Sequence, residues 1–462
     1  MAVDGRSTVL LPTEAEAYAQ TLQSYKIKDI GNPSWMRQHE YLEKFNMQAL
    51  LNASNEEDEF VKDFLISAEK IPVLIHELLA IEVWKQKVFS IIMKMDFEPK
   101  TTFPLYMALY HEATLINLVE TIFFYRESCE AAEDSVLDLV DYCYRKITAL
   151  VAKQEAGEVD ELVKKAASRV VETGGNLQEL GQQEKAISFD VGVKAVAVLR
   201  YVTDHLSSLP LSVATRLLNT HDVPVLLVQL VESPPWTCMN EGKLMKNIDG
   251  KWQEVPMAER LKLTKLEGQV WIAIFNLLMG SECQQKYEFN QFNKDQVLKL
   301  RGHMTEVLLD QIPMLVELQR YLEHLSMMEP PSARQNLVLE QVPEIYDNLV
   351  KENEGKWAAI AKHQVKKYFD PPKAALKEQA KRFADTYNFD LLEGLINEPP
   401  KCGVCGQPAT KRCSRCQNEW YCRRECQVKH WPKHKAACKL MTDALDKIKL
   451  QEGGDQTKQS SS

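Results

Sequence analysis

The sequence predicts a mostly α-helical protein in two parts, a long helical body over residues 1–398 and a small cysteine-built module over 402–438. Three observations carry this expectation. Apolar residues recur at spacings of three and four along most of the first 396 positions, the period of one face of an α-helix. Only 18 Gly and 20 Pro interrupt 462 residues, and 45% of the chain is hydrophobic against 26% charged, which suits a folded, helix-rich core. Seven of the 11 cysteines fall between Cys402 and Cys438. The length exceeds that at which single cores stop growing, so several domains or a repeat array are expected.

Within the body the helical period is clearest over 60–65, 74–93, 115–124, 136–151, 193–206 and 270–278. An aliphatic-Pro pair recurs along the body at Ile71-Pro72, Val223-Pro224, Val342-Pro343 and, more loosely, Ile312-Pro313. Proline suits the first helical turn, where its missing N–H is not needed and its φ is already helical, so each pair is expected to start a helix. Such starts resemble those of armadillo and HEAT repeats, which implies an irregular solenoid-like body, although the copies keep no fixed period.

Two stretches break the pattern. Residues 153–186 are polar and charged around Gly174-Gly175 and read as a surface loop with a solvated helix. Between 233 and 256 the helical period disappears, and 243–255, centred on Asp249-Gly250, reads as an exposed β-hairpin. Glu398-Pro399-Pro400 marks the end of the body. Residues 441–462 are expected to form one short helix and a disordered tail.

The chain starts without a charged n-region and apolar h-region, and no apolar run approaches 18 residues, so a cytoplasmic or nuclear protein is expected, with no membrane segment. Asn52-Ala53-Ser54 then matches a glycosylation sequon by chance. Of the net −9, the segment 401–440 carries +8 and the last 22 residues −1, which leaves −16 on the first 400. An acidic body with a small basic end does not suggest nucleic-acid binding. No HExxH string or phosphate-binding loop is present.

The cysteine module reads Cys402-x2-Cys405-x7-Cys413-x2-Cys416-x5-Cys422-x3-Cys426-x7-His434-x3-Cys438. In a chain without a secretory signal, eight thiol and imidazole donors in four close pairs are what two tetrahedral zinc ions require. The x2 pairs suit tight turns; the x3 pairs suit one turn of helix. Spacing leaves open whether the pairs combine in sequence or alternately. His430 competes with His434, but the x3 spacing to Cys438 favours His434. With every position filled by Cys or His, no site keeps a place for water, so the zinc ions are structural. Counting the seven thiolates and two ions, the module stays basic, at about +5. Trp420, Tyr421 and Trp431 crowd the donors, and aromatics beside a rigid core suit peptide capture. The other four cysteines, Cys129, Cys143, Cys238 and Cys283, read as buried thiols.

This string resembles the MYND-type zinc finger. The resemblance implies a cross-brace, with Cys402, Cys405, Cys422 and Cys426 on one zinc and Cys413, Cys416, His434 and Cys438 on the other. It also implies a groove for proline-containing peptides, in which Ser414, Gln427 and Trp431 occupy the contact positions. Beyond the finger, YLEKFNMQALL (41–51), VWKQKVF (83–89), SVLDLVDYC (135–143), GQVWIAIFNLL (268–278), GKWAAIAKHQ (355–364) and KRCSRCQNEWYCRRECQVKHW (411–431) resemble a family of MYND-containing dynein-arm assembly factors. That resemblance implies a non-enzymatic factor for cytoplasmic preassembly of axonemal dynein arms in cells with motile cilia. Its implied partners are a leucine-rich-repeat co-factor held by the finger, Hsp90-type chaperone machinery, and dynein chains as clients. Its implied location is the cytoplasm, concentrated near centriolar satellites and the apical region. Two other functions carry such fingers. A SET-domain lysine methyltransferase needs a β-rich fold and a cofactor motif that this sequence lacks. A nuclear corepressor adaptor needs only the finger, and nuclear residence would distinguish it.

Overall fold

The computed structural model describes residues 9–161, 163, 175–329, 341–372, 374, 376, 402–405, 407–415, 419–432, 434–435 and 438. The Glu398–Pro400 boundary, the interior of the 153–186 stretch, the 441–462 tail and Cys416 lie outside these residues. The chain divides into two compact units, Leu10–Pro371 and one holding the C-terminal segment from Pro372. That division falls at a Pro-Pro pair, where neither residue offers an N–H to continue a helix.

The first unit is built of helices. The principal ones are α1 (Pro12–Thr21), α2 (Pro33–Asn55), α3 (Phe60–Ser67), α4 (Ile71–Trp84), α5 (Phe103–Phe123), α6 (Ser135–Glu155), α7 (Asn176–Asp204), α8 (Val223–Glu232), α9 (Lys265–Met279), α10 (Leu315–Met327), α11 (Ile345–Asn353) and α12 (Trp357–Gln364). Pro72 and Pro224 lie in the first turns of α4 and α8. Pro313 and Pro343 do not start helices: α10 and α11 begin two residues after them, at Leu315 and Ile345.

Helices α4 and α5 carry buried residues on every side, as central helices must. Helix α2 packs on α5, α4 packs on α5, and the 29-residue α7 lies against α5, α6 and α9. In a one-dimensional solenoid each repeat touches its neighbours alone. Here the last helices return to the first. Gln364 takes the indole N–H of Trp84 on its Oε1 at 2.8 Å and donates its amide to the Ile27 carbonyl at 2.8 Å. Asp138 accepts the backbone N–H of Ile345 at 2.9 Å. Phe369 closes on Gly31, whose φ is +90° and where an added Cβ would fall 2.9 Å from that ring, too close for any side chain. Mostly helical architecture is thus plain, and a regular helix-pair repeat is not.

The break after α8 is a three-stranded antiparallel sheet of β1 (Thr237–Asn240), β2 (Lys243–Ile248) and β3 (Lys251–Glu254), in the order β1-β2-β3. Both turns have two residues at positive φ, Glu241-Gly242 and Asp249-Gly250, as tight hairpins require. The strand β1 was not legible in the sequence.

The core also holds an ionic network that sequence reading missed. Glu112, fully buried on α5, accepts from Lys85 at 2.8 Å, Lys146 at 2.6 Å and the Tyr142 hydroxyl at 2.8 Å. Glu82 takes Arg145 at 2.6 Å and Lys146 at 3.3 Å. Burial by itself would raise the Glu112 carboxyl, but Lys146 and Lys85 outweigh it and hold the group far below the ordinary carboxylate range. Beside this network, His39 and His111 lie buried against Trp35 with their Nδ1 atoms 2.9 Å apart. Asn52 is buried as well and its amide donates to the Asp58 carbonyl at 2.7 Å, which rules out its use as a glycan acceptor in this fold.

Among the described residues, no helix is long and apolar enough to cross a membrane.

Candidate metal centre

The C-terminal module is organised by two short strands, β4 (Lys411–Arg412) and β5 (Trp420–Tyr421), paired antiparallel with Lys411 opposite Tyr421 and Arg412 opposite Trp420. Each strand leads directly into a cysteine, Cys413 after β4 and Cys422 after β5. A tight turn over 403–405, closed by Cys402 N–H on the Gln407 carbonyl at 2.8 Å, forms the first knuckle. Gly403 N–H bonds the Trp420 carbonyl at 3.0 Å and so docks that knuckle on β5. The second knuckle begins where Cys413 N–H bonds the Glu419 carbonyl at 2.7 Å. The backbone therefore joins the first pair of cysteines to the third pair and skips the second.

The side chains follow. The sulfurs of Cys402, Cys405, Cys422 and Cys426 lie within 4.8 Å of one another, as do the donor atoms of Cys413, His434 and Cys438. Cys416, the expected fourth member of the second group, is outside the described residues. Cys422 Sγ is 3.7 Å from Cys426 Sγ, Cys426 Sγ 3.8 Å from Cys405 Sγ, and Cys413 Sγ 3.8 Å from Cys438 Sγ. A tetrahedron with metal–sulfur bonds of about 2.3 Å has edges of about 3.8 Å, so the spacing fits zinc. The Cys405–Cys422 separation, at 3.3 Å, is shorter. Burial works against the Cys402 thiolate, yet backbone N–H groups from Cys405, Cys422 and Val404 lower its pKa; hydrogen bonding to Cys405, then burial, raises that of Cys422. Crowded thiols cannot all ionise unaided, and a divalent cation is what removes that conflict.

Helical residues 424–432 begin two positions after Cys422, so Cys422 sits on the bend before the helix rather than on its first turn. His430 is not in either donor group. Its Nδ1 lies 3.0 Å from the Tyr421 hydroxyl and its ring stacks on His434, 5.6 Å between centroids. Tyr421, one of the three aromatics that crowd the donors, is buried in the core formed with Cys402, Ala409, Cys413, Cys426 and Cys438. Trp420 is half-buried beneath the Arg412 guanidinium at 4.6 Å. Ser414 is exposed on the turn after Cys413; Gln427 and Trp431 are half-buried one helical turn apart. Sequence reading missed Val428, which is 64% exposed beside Gln427 and three residues before Trp431.

Comparison with known proteins agrees with this geometry. The MYND finger family model matches residues 402–438. Over 449 residues the chain is 32% identical to the zinc finger MYND domain-containing protein 10 homolog of Drosophila melanogaster, covering 92% of this chain and 98% of that protein. The chain belongs to the zinc finger MYND domain-containing protein 10 family. Shorter similarity, 41% over 46 residues and 40% over 45, links it to ubiquitin carboxyl-terminal hydrolases 19 and 17 of Arabidopsis thaliana. Those matches cover 10% of this chain and 7% and 6% of the hydrolases, so they bear on a short segment and not on catalysis. No solved structure matches the chain. Membership of the zinc finger MYND domain-containing protein 10 family extends through the helical body as well as the finger.

Proposed function

We propose that the protein is a non-enzymatic adaptor for the cytoplasmic preassembly of axonemal dynein arms. Its finger holds two structural zinc ions, the first on Cys402, Cys405, Cys422 and Cys426 and the second on Cys413, Cys416, His434 and Cys438. When bound, zinc supplies a rigid cross-brace; the chain's own residues supply the recognition. Ser414, Gln427 and Trp431 form the contact for a leucine-rich-repeat co-factor, with Val428 extending their face. The helical body brings in Hsp90-type chaperone machinery and dynein chains.

The observation that carries this reading is the disposition of the finger. Its donor atoms are drawn inward into one group of four and one of three described donors, while Ser414 and Val428 face solvent and Trp431 is half-covered beside the donor core. With Cys416 as the fourth donor of the second group neither centre keeps a place for substrate water, and the outer face offers an aromatic anchor of the kind that dominates interfaces.

The test is rescue in multiciliated cells lacking the protein. Wild type is expected to restore axonemal dynein arms and to localise to the cytoplasm, near centriolar satellites; Trp431→Ala is expected to restore few. Normal dynein arms in the null cells would refute the assembly role. Nuclear residence of the tagged protein would favour the corepressor reading.

A further inference from the structure

A second feature of the helical body lies at the foot of the three-stranded sheet. A cavity of about 280 Å³ opens between the end of α8, β2, the loop before α9, and the first turns of α9. Trp236 and Trp271 line it with aliphatic neighbours. Trp236 is buried, and its indole Nε1–H has no hydrogen-bond acceptor among the described residues.

The charge of the lining is one-sided. Its acidic member, Glu267, is already engaged: Lys246 Nζ sits 2.8 Å and 3.1 Å from its two oxygens, and Thr264 N–H donates to it at 2.7 Å in the cap of α9. Arg260 and Lys262 also line the cavity, both exposed, and neither side chain has an acidic partner among the described residues. Between them Leu261 is 61% exposed, and Val307, next to the lining residue Leu308 in sequence, is exposed too. Unpaired cations at the mouth, an apolar rim and tryptophan walls together select a ligand that is acidic and apolar at once.

We propose that this cavity docks an acidic, aliphatic-rich peptide segment of a partner protein. Carboxylates of the peptide meet Arg260 and Lys262, and an apolar side chain enters against Trp236 and Trp271. This site is independent of the zinc finger and of the dynein-arm reading.

The probe is a displayed library of short random peptides, selected on the full-length protein and screened against the full-length Arg260→Glu/Lys262→Glu variant. Both positions are exposed, so the variant's melting temperature should match wild type. Selected peptides are expected to combine Asp or Glu with Leu, Ile or Phe, to bind the double variant about tenfold or more weakly, and to bind Trp431→Ala as well as wild type. Peptides that bind wild type and the double variant equally, or that carry no acidic residues, would overturn the proposal. So would peptides lost on Trp431→Ala, which would place them on the finger. Self-association of wild type abolished by the double variant would give the cavity to a second copy and overturn it equally.

Discussion

Cys405 and Cys422 are 17 positions apart in sequence, and their sulfurs lie 3.3 Å apart. The pair is the seam at which the first knuckle meets the end of β5, and it marks the alternation of cysteine pairs between the two donor groups.

Metal content is the first prediction. The purified chain should hold two zinc ions, and Cys422→Ala and Cys438→Ala should each lower the content to about one or less, because each site's donors are brought together by a fold that depends on the metal. Chelation should unfold the finger and leave the helical signal of the body, read by metal analysis and circular dichroism on the same sample. One zinc in wild type, or collapse of the helical signal on chelation, would contradict it.

A second prediction concerns Glu112. Replacing it with Ala leaves Lys85 and Lys146 facing each other in the core, and breaking a buried pair in this way costs about 3–5 kcal/mol. Its carboxyl titrates below its unfolded value, so its contribution is complete above about pH 4 and is lost as pH falls through the lower folded pKa. Thermal melts should show Glu112→Gln well below wild type at pH 7, with the gap narrowing below about pH 4. A gap that widens on acidification would contradict this.

His39 and His111 give the opposite kind of handle. Burial lowers His39 to about 3 and His111 well below its ordinary value, so both stay neutral where unfolded imidazoles charge. Stability linked to them is therefore full above about pH 6.5 and declines as pH falls toward 3. Asp138 and Asp190, each pushed up to about 6 chiefly by burial, work in the other direction between about pH 6 and pH 4. The decisive comparison is thus between variants. From pH 7 to pH 5 the melting temperature of His39→Gln should fall less than that of wild type; an equal fall would exclude the pair as an acid-sensitive element.

How much of this was legible in the sequence depends on which physical signal each feature leaves. Apolar spacing revealed the helices, since burial of one face is what creates the spacing. Pro72 and Pro224 lie in first turns, but Pro313 and Pro343 stop just short, because a proline is equally compatible with the residues that lead into a helix. The Glu112 network left no signal. Glu82, Glu112 and Lys146 stand on three different helices, each a single charge like those of a solvated face, and only the packing of α4, α5 and α6 shows that they face one another. Donor spacing singled out the cysteines and His434 as candidate donors but not their grouping, which depends on the bond from Gly403 to Trp420, a contact between main-chain atoms that no side chain announces.

In the proposed function the outer face of the finger, and not the zinc itself, holds the partner. Titration of the purified leucine-rich-repeat co-factor against full-length wild type, Gln427→Ala and Trp431→Ala tests it most directly, with zinc content and melting temperature measured on each. Loss of an aromatic anchor typically costs about 2 kcal/mol or more, roughly thirtyfold in affinity. Trp431→Ala should bind about thirtyfold more weakly and Gln427→Ala less so, both with full zinc and near wild-type stability. Unchanged affinity for Trp431→Ala at full zinc content would contradict it.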